Sequence, residues 1–161
     1  MKQVDPRRQP AKGRNMRVII DQLLWIGNAG DARNLRSIHD HGIRAVVDLA
    51  ADEPPAVLSR DLVYYRFPLL DGDGNPPWLL RSVIDCVATV ISHQVPLLVA
   101  CSGGMSRSPV VIAAALAIAY GKPIDECLKQ VVGDGPQQES AALWNAAAAA
   151  IENGESTVPP V

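Results

Sequence analysis

The twelve residues PVVIAAALAIAY, Pro109 to Tyr120, are apolar nearly all round. A helix without a polar face has no side to offer to water, so this one must be buried, and Gly121 stands where it would end. It follows closely on VPLLVACS, Val95 to Ser102, an apolar run of strand length. A buried strand leading into a buried helix is the repeating step of an α/β fold, and the rest of the chain alternates in the same way. MRVII, LLWIGN, IRAVVDLA and VYYRFPLL are short apolar or β-branched runs bounded by Gly, Pro, Asp or Gln. Pro76 and Pro77 can open a helix in which Leu79, Leu80, Val83, Ile84, Val87, Val90 and Ile91 recur at helical spacing. PIDECLKQVV and the Ala-rich ESAALWNAAAAAIENG, with Gly154 at its end, make two more. The alternation predicts an α/β fold: a central, mainly parallel sheet of four to five strands with helices on both faces.

Composition bounds what such a fold can do. The chain has 161 residues, 48% of them hydrophobic, which suits one core and one domain, taken as residues 16–153. Residues 1–15, polar and rich in Pro and Arg, read as a disordered tail, and residues 154–161 as a frayed one. A net charge of −2, with no long basic run and few aromatics, argues against a nucleic-acid partner. The sequence shows neither an apolar run of about 18 residues nor the hydrophobic segment of a secretion signal, so the expectation is a soluble, cytoplasmic protein with no membrane partner. Cys86, Cys101 and Cys127 are odd in number and widely spaced, as free thiols of a reducing compartment are. His39, His41 and His93 show no metal-ligand spacing, and the first two read as a solvated helix end. No metal or cofactor is expected.

Six residues, Cys101 to Ser106, connect the buried strand to the helix that starts near Arg107. This turn belongs to the carboxyl edge of the sheet, where open α/β folds bind ligands. Gly103 and Gly104 allow backbone angles that other residues resist. The N–H groups of such a turn, together with the first turn of the helix, suit an anion. Arg107 adds a planar fork that matches two oxygens of a phosphate. Cys101 sits at the base of the same concavity, where donors for an oxyanion also stabilise a thiolate. The combination describes phosphoryl transfer to sulfur. The stretch lacks the G-K-[ST] of a nucleotide-triphosphate loop and the three-glycine dinucleotide fingerprint. Cys86 and Cys127, without such surroundings, read as small buried hydrophobes.

Cys101 to Ser108, CSGGMSRS, resembles the C-x5-R-S signature of cysteine-dependent protein phosphatases, in the C-x-x-G-x-S-R-S form of the dual-specificity branch. LLWIGNAGDARNLRSIHDHGIRAVVDLA, Leu23 to Ala50, is similar to the opening of that branch, a strand ending in I-G-N, a helix and a second strand. YRFPLLD, Tyr65 to Asp71, resembles its general-acid segment, thirty residues before the cysteine. The resemblance covers most of the chain, Leu23 to Asn153. It implies that Cys101 attacks phosphorus and forms a cysteinyl-phosphate that water hydrolyses. Arg107 and the backbone N–H groups of Ser102, Gly103, Gly104, Met105 and Ser106 would bind the phosphoryl oxygens, and Ser108 would hydrogen-bond the departing thiolate. Asp71 would be the acid and then the base, with Asp73 as the fallback. The segment Asp71-Gly72-Asp73-Gly74-Asn75 independently reads as a mobile loop after a strand. Trp78, just beyond, reads as either a lid aromatic or packing for the start of its helix, with packing favoured.

The chain departs from the family pattern at Ala100, where a histidine commonly precedes the cysteine. That departure leaves a second function class open, a catalytically weak module that holds a phosphorylated partner. Gln137 and Gln138 lie where the family often carries an amide beside the site. The expected partner is a phosphorylated protein. The loop carries no Lys or Arg before Arg107, so a singly phosphorylated side chain is favoured over a polyanion, with phosphotyrosine ahead of phosphoserine or phosphothreonine and a non-protein phosphate ester as the alternative.

Overall fold

The computed structural model describes residues 16–133 and 140–154. The expected terminal tails, except Gly154, and the amides Gln137 and Gln138 lie outside the described residues. Five strands form one sheet: β1 (Arg17–Ile20), β2 (Leu24–Gly27), β3 (Ala45–Ala50), β4 (Val63–Leu69) and β5 (Leu97–Ala100). Their order across the sheet is β1-β2-β5-β3-β4. The four strands from β2 to β4 run parallel, and β1 is added antiparallel at the β2 edge.

This order explains the layers. Passing from β2 to β3 the chain crosses the sheet in one direction, and from β4 to β5 it returns. Crossovers between parallel strands are right-handed, so the two connections lie on opposite faces. The first carries α1 (Ala29–Arg33) and α2 (Leu35–Asp40), the second α3 (Pro77–Ser92). Behind α3's face lie α4 (Arg107–Tyr120), α5 (Ile124–Val132) and α6 (Ala141–Glu152). The expected α/β architecture with helices on both faces is what the chain adopts.

Side chains alternate between two cores accordingly. Leu97, Val99, Val47 and Leu49 face the larger cluster, which holds α3 and α4. Leu98, Ala100, Val46 and Trp25 face the smaller one beside Ala32 and Ile38. Helix α4 is buried along nearly its whole length, and Gly121 ends it in the left-handed conformation at φ 64°, as its sequence predicts. Pro76 caps α3 and Pro77 opens it, where a missing N–H costs nothing. Cys127 is buried, whereas Cys86 is only half-buried; burial pushes the Cys86 thiol up to about 11. His39 and His41 are exposed at the end of α2, as expected. Trp78 corrects an expectation: it does not pack the start of α3 but stands 69% exposed on its first turn. Among the described residues, no helix is long and apolar enough to cross a membrane.

Candidate active site

Because β2, β5, β3 and β4 are parallel, all four end at one edge of the sheet, and the segment after each end reaches the same place. Cys101, the first residue beyond β5, is 2% exposed. Its N–H donates to the Gly27 carbonyl at the end of β2 (3.4 Å), and the Ser102 carbonyl accepts from Ala29 (3.3 Å). The loop is thereby tied to the β2–α1 junction. That junction is itself rigid: Asn28 and Asp31 form a reciprocal capping box at the start of α1, each side chain accepting the other's backbone N–H at 2.9 Å.

The loop folds back over the sulfur. The Gly104 N–H donates to Cys101 Sγ at 3.2 Å. Gly104 has φ +72°, and a Cβ there would stand 2.8 Å from the Gly27 carbonyl oxygen. Only glycine satisfies both constraints. Gly103 does not use the freedom expected of it: its φ is not positive, and a Cβ would meet only the end of Met105, at 3.8 Å. One glycine of the pair is a conformational necessity.

Arg107 opens α4 and is 2% exposed. Its Nη1 donates to Asp52 Oδ1 (2.6 Å) and to the Leu69 carbonyl (3.0 Å). Its Nε is buried without a partner. The guanidinium is thus gripped at one terminal nitrogen, and a donor on its other side is unsatisfied, which a bound oxyanion would remedy. Burial alone would lower the pKa of Arg107, but the hydrogen bond to Asp52 and that carboxylate's negative charge raise it, so the positive charge is secure. Ser108, one residue further into the helix, is fully buried and its hydroxyl has no partner.

Asp71 lies just beyond β4 and is exposed. One carboxylate oxygen, Oδ1, accepts from Ser106 Oγ at 2.5 Å, which joins the segment expected to supply the acid to the loop expected to bind phosphate. The Asp71–Asn75 segment is folded on itself: the Asn75 side chain accepts from the Leu70 N–H (2.8 Å) and donates to the carbonyls of Leu70 (2.9 Å) and Gly72 (3.3 Å). Asp73 is exposed and accepts from the N–H of its neighbour Gly74. Cys101, Ser102, Gly104, Ser106 and Arg107 thus lie on one loop and helix start, to which Asp71 is joined through Ser106, while Asp73 bonds only locally. Ala100 is buried in the opposite, smaller core, as the alternation along β5 requires.

Sequence reasoning missed the loop after β3. There Asp52 binds Arg107, and Glu53 accepts from Ser102 Oγ (3.0 Å) and from Arg33 (3.1 Å). The hydrogen bond from Arg33, and then that from Ser102, holds the Glu53 carboxyl below the usual carboxylate range. Behind them, buried Asp48 accepts from Tyr64 and Arg66, and Arg66 also donates to the carbonyls of Ala50 and Glu53. Two adjacent carboxylates immediately after a strand, in the stretch ADEPP, are the signal that marks this loop.

Comparison with known proteins agrees with this fold. Residues 25–121 match the family Tc-R-P, described as "Polymorphic toxin system, DSP-PTPase phosphatase". No curated protein matches the chain by sequence. Among solved structures, human DUSP28 superposes with a TM-score of 0.72 at 19% identity, over 85% of this chain and 95% of that one. A mouse putative dual specificity phosphatase complexed with zinc tungstate gives 0.72 at 21%, over 89% and 90%. The human tyrosine phosphatase-like serine/threonine/tyrosine-interacting protein gives 0.71 at 16%, over 86% and 97%.

Proposed function

The chain belongs to the DSP-PTPase phosphatase family, whose members are cysteine-dependent protein phosphatases, and from that premise we propose that it hydrolyses phosphate monoesters through a cysteinyl-phosphate formed on Cys101. The observation that carries this reading is the arrangement of the loop: a buried cysteine whose sulfur accepts the Gly104 N–H, followed six residues later by a buried arginine whose Nε has no partner. In the first step the Cys101 thiolate attacks phosphorus, the S–P bond forms and the P–O ester bond breaks. Asp71 gives its proton to the departing oxygen. Arg107 and the loop N–H groups hold the phosphoryl oxygens throughout. In the second step water attacks phosphorus, Asp71 takes its proton, and the S–P bond breaks to return the thiolate, which accepts a hydrogen bond from Ser108. Sulfur supplies the nucleophile and arginine the charge, so the scheme needs no metal.

The substrate is a phosphorylated side chain of a protein, with phosphotyrosine ahead of phosphoserine or phosphothreonine. Support comes from the charges at the mouth: Asp52, Glu53 and Asp71 surround the loop, and such a rim disfavours polyanionic substrates. The free thiols Cys86, Cys101 and Cys127 support a reducing compartment, the cytoplasm.

Ala100 favours a second reading, a module that binds phosphate without turning it over. Vanadate-sensitive hydrolysis of an aryl phosphate separates the two. The phosphatase reading expects turnover that vanadate blocks and that Cys101→Ala abolishes, with Cys101→Ser trapping a phosphoprotein. Phosphate binding without turnover by the unmodified protein would establish the module instead.

A further inference from the structure

Ser106 stands at the N-cap of α4, the position where a serine normally accepts a hydrogen bond from an N–H of the first helical turn. Here it makes no such bond. Its backbone is unusual for a cap, at φ −124° and ψ −74°, and its hydroxyl is turned to Asp71 instead. The residue is almost completely buried, 9% exposed, while Asp71 is open to solvent. The helix therefore forgoes its usual side-chain cap, and the hydroxyl ties the Asp71 loop to the Cys101 loop, 35 residues apart in sequence.

Resting on the phosphatase reading above, we propose that Ser106 is a positioning residue for Asp71, which sets both where the carboxyl lies and which of its oxygens carries the catalytic proton. The Ser106 O–H donates to Oδ1. An oxygen already receiving a hydrogen is the poorer place for a second, so in the acid form the proton resides on Oδ2. Oδ2 takes no part in the bond to Ser106 and lies on the exposed carboxyl, where a leaving group arrives. After that proton passes to the ester oxygen, the same Ser106 hydrogen bond stabilises the carboxylate that must next accept a proton from water. Asn75 fixes the rest of the loop through the backbone of Leu70 and Gly72 but makes no bond to the Asp71 carboxyl. Orientation of that carboxyl thus falls to Ser106.

The test compares a phosphotyrosine peptide, whose leaving phenol needs a proton, with an activated aryl phosphate, whose phenol does not. The readout is the ratio of kcat/KM for the activated ester to that for the peptide. Hydrogen bonds to charged groups are worth roughly ten- to a hundredfold in an equilibrium, so Ser106→Ala should raise the ratio by at least about tenfold. Ser106→Thr, which keeps the hydroxyl, should return it toward the unmodified value. In an Asp71→Asn background Ser106→Ala should leave the ratio where Asp71→Asn alone puts it, because the two act as one unit. A serine important only for loop structure would slow both esters equally and leave the ratio unmoved, and that result overturns the proposal. So would an additive effect in the double variant. If Asp71→Asn shifts the ratio and Ser106→Ala does not, this inference fails while the phosphatase reading stands. If the unmodified protein hydrolyses neither ester, both fall.

Discussion

Asp52, with its side chain 59% exposed, holds the guanidinium of Arg107, only 2% exposed, through a 2.6 Å ion pair. The pair joins the loop after β3 to the first residue of α4, 55 positions along the chain. Both hydrogen bonds of the guanidinium leave from Nη1, so Asp52 and the Leu69 carbonyl fix the angle at which its remaining donors meet a ligand.

The first prediction follows from that division of the arginine. Asp52→Ala leaves Leu69 as the only anchor, and the fork gains freedom that phosphate binding must then remove. Solvent at the exposed carboxylate weakens the pair, so a loss of about three- to tenfold in vanadate affinity is expected. Arg107→Lys should lose more, since an ammonium cannot serve two oxygens in one plane. Unchanged or tighter vanadate binding by Asp52→Ala would mean that the carboxylate competes with the anion rather than orienting its partner.

The same pair predicts a pH dependence of stability. The hydrogen bond from Arg107 holds the Asp52 carboxyl below its ordinary value of 3.8. A carboxyl whose pKa is depressed on folding contributes stability that is fully present above the unfolded value and lost as pH falls through the folded one. The difference in Tm between the unmodified protein and Asp52→Asn should therefore hold steady from neutral pH down to about 5, then shrink below about 4 as Asp52 is protonated. Thermal melts at matched ionic strength measure it. A difference that grew on acidification would contradict the assignment.

Gly104 carries a prediction about the cradle itself. An alanine there must adopt φ +72° and push its Cβ against the Gly27 carbonyl oxygen, which is backbone and cannot rotate away. Strain of this kind costs on the order of 1–3 kcal/mol, and relieving it moves the Gly104 N–H off the sulfur. Gly104→Ala should lower Tm and remove activity together. Gly103→Ala, whose Cβ meets only Met105, should do neither to a comparable degree. Equal effects at the two positions would show that the loop needs glycine for something other than this contact.

Which parts of the site can be read from sequence depends on how far apart the interacting residues lie. The run from Val95 to Tyr120 declares its strand, turn and buried helix locally, so the Cys101 loop is placed without knowing the rest of the fold. Helices α1 and α2, five and six residues long, are too short for a periodic pattern, and only the family resemblance points to a helix there. Asp52, Glu53 and the bond between Ser106 and Asp71 depend on which strands are neighbours. The order β1-β2-β5-β3-β4 sets β3 beside β5 and β4 next to it, which brings the loops after β3 and β4 to Arg107 and Ser106. Trp78 shows the opposite failure: the usual burial of aromatics places it in a core, and the helix start leaves it in solvent.

The last prediction separates Cys101 from Asp71 by what each must do for the leaving group. Every substrate needs the nucleophile, so Cys101→Ala should abolish turnover whatever leaves. An acid matters in proportion to the basicity of the departing oxygen. Positioned acid catalysis contributes roughly 10²–10⁴-fold, about 3 to 5 kcal/mol of barrier. Asp71→Asn should lose most of that range with a phosphotyrosine peptide and far less with an activated aryl phosphate. Asp73, which bonds only to the Gly74 N–H, should show no such contrast on conversion to Asn. The bond from Ser106 to Asp71 is what favours the first aspartate over the second. A leaving-group-dependent loss at Asp73 instead would mean that the loop shifts by two residues when substrate binds, and the Ser106 contact would then belong to the ligand-free state alone.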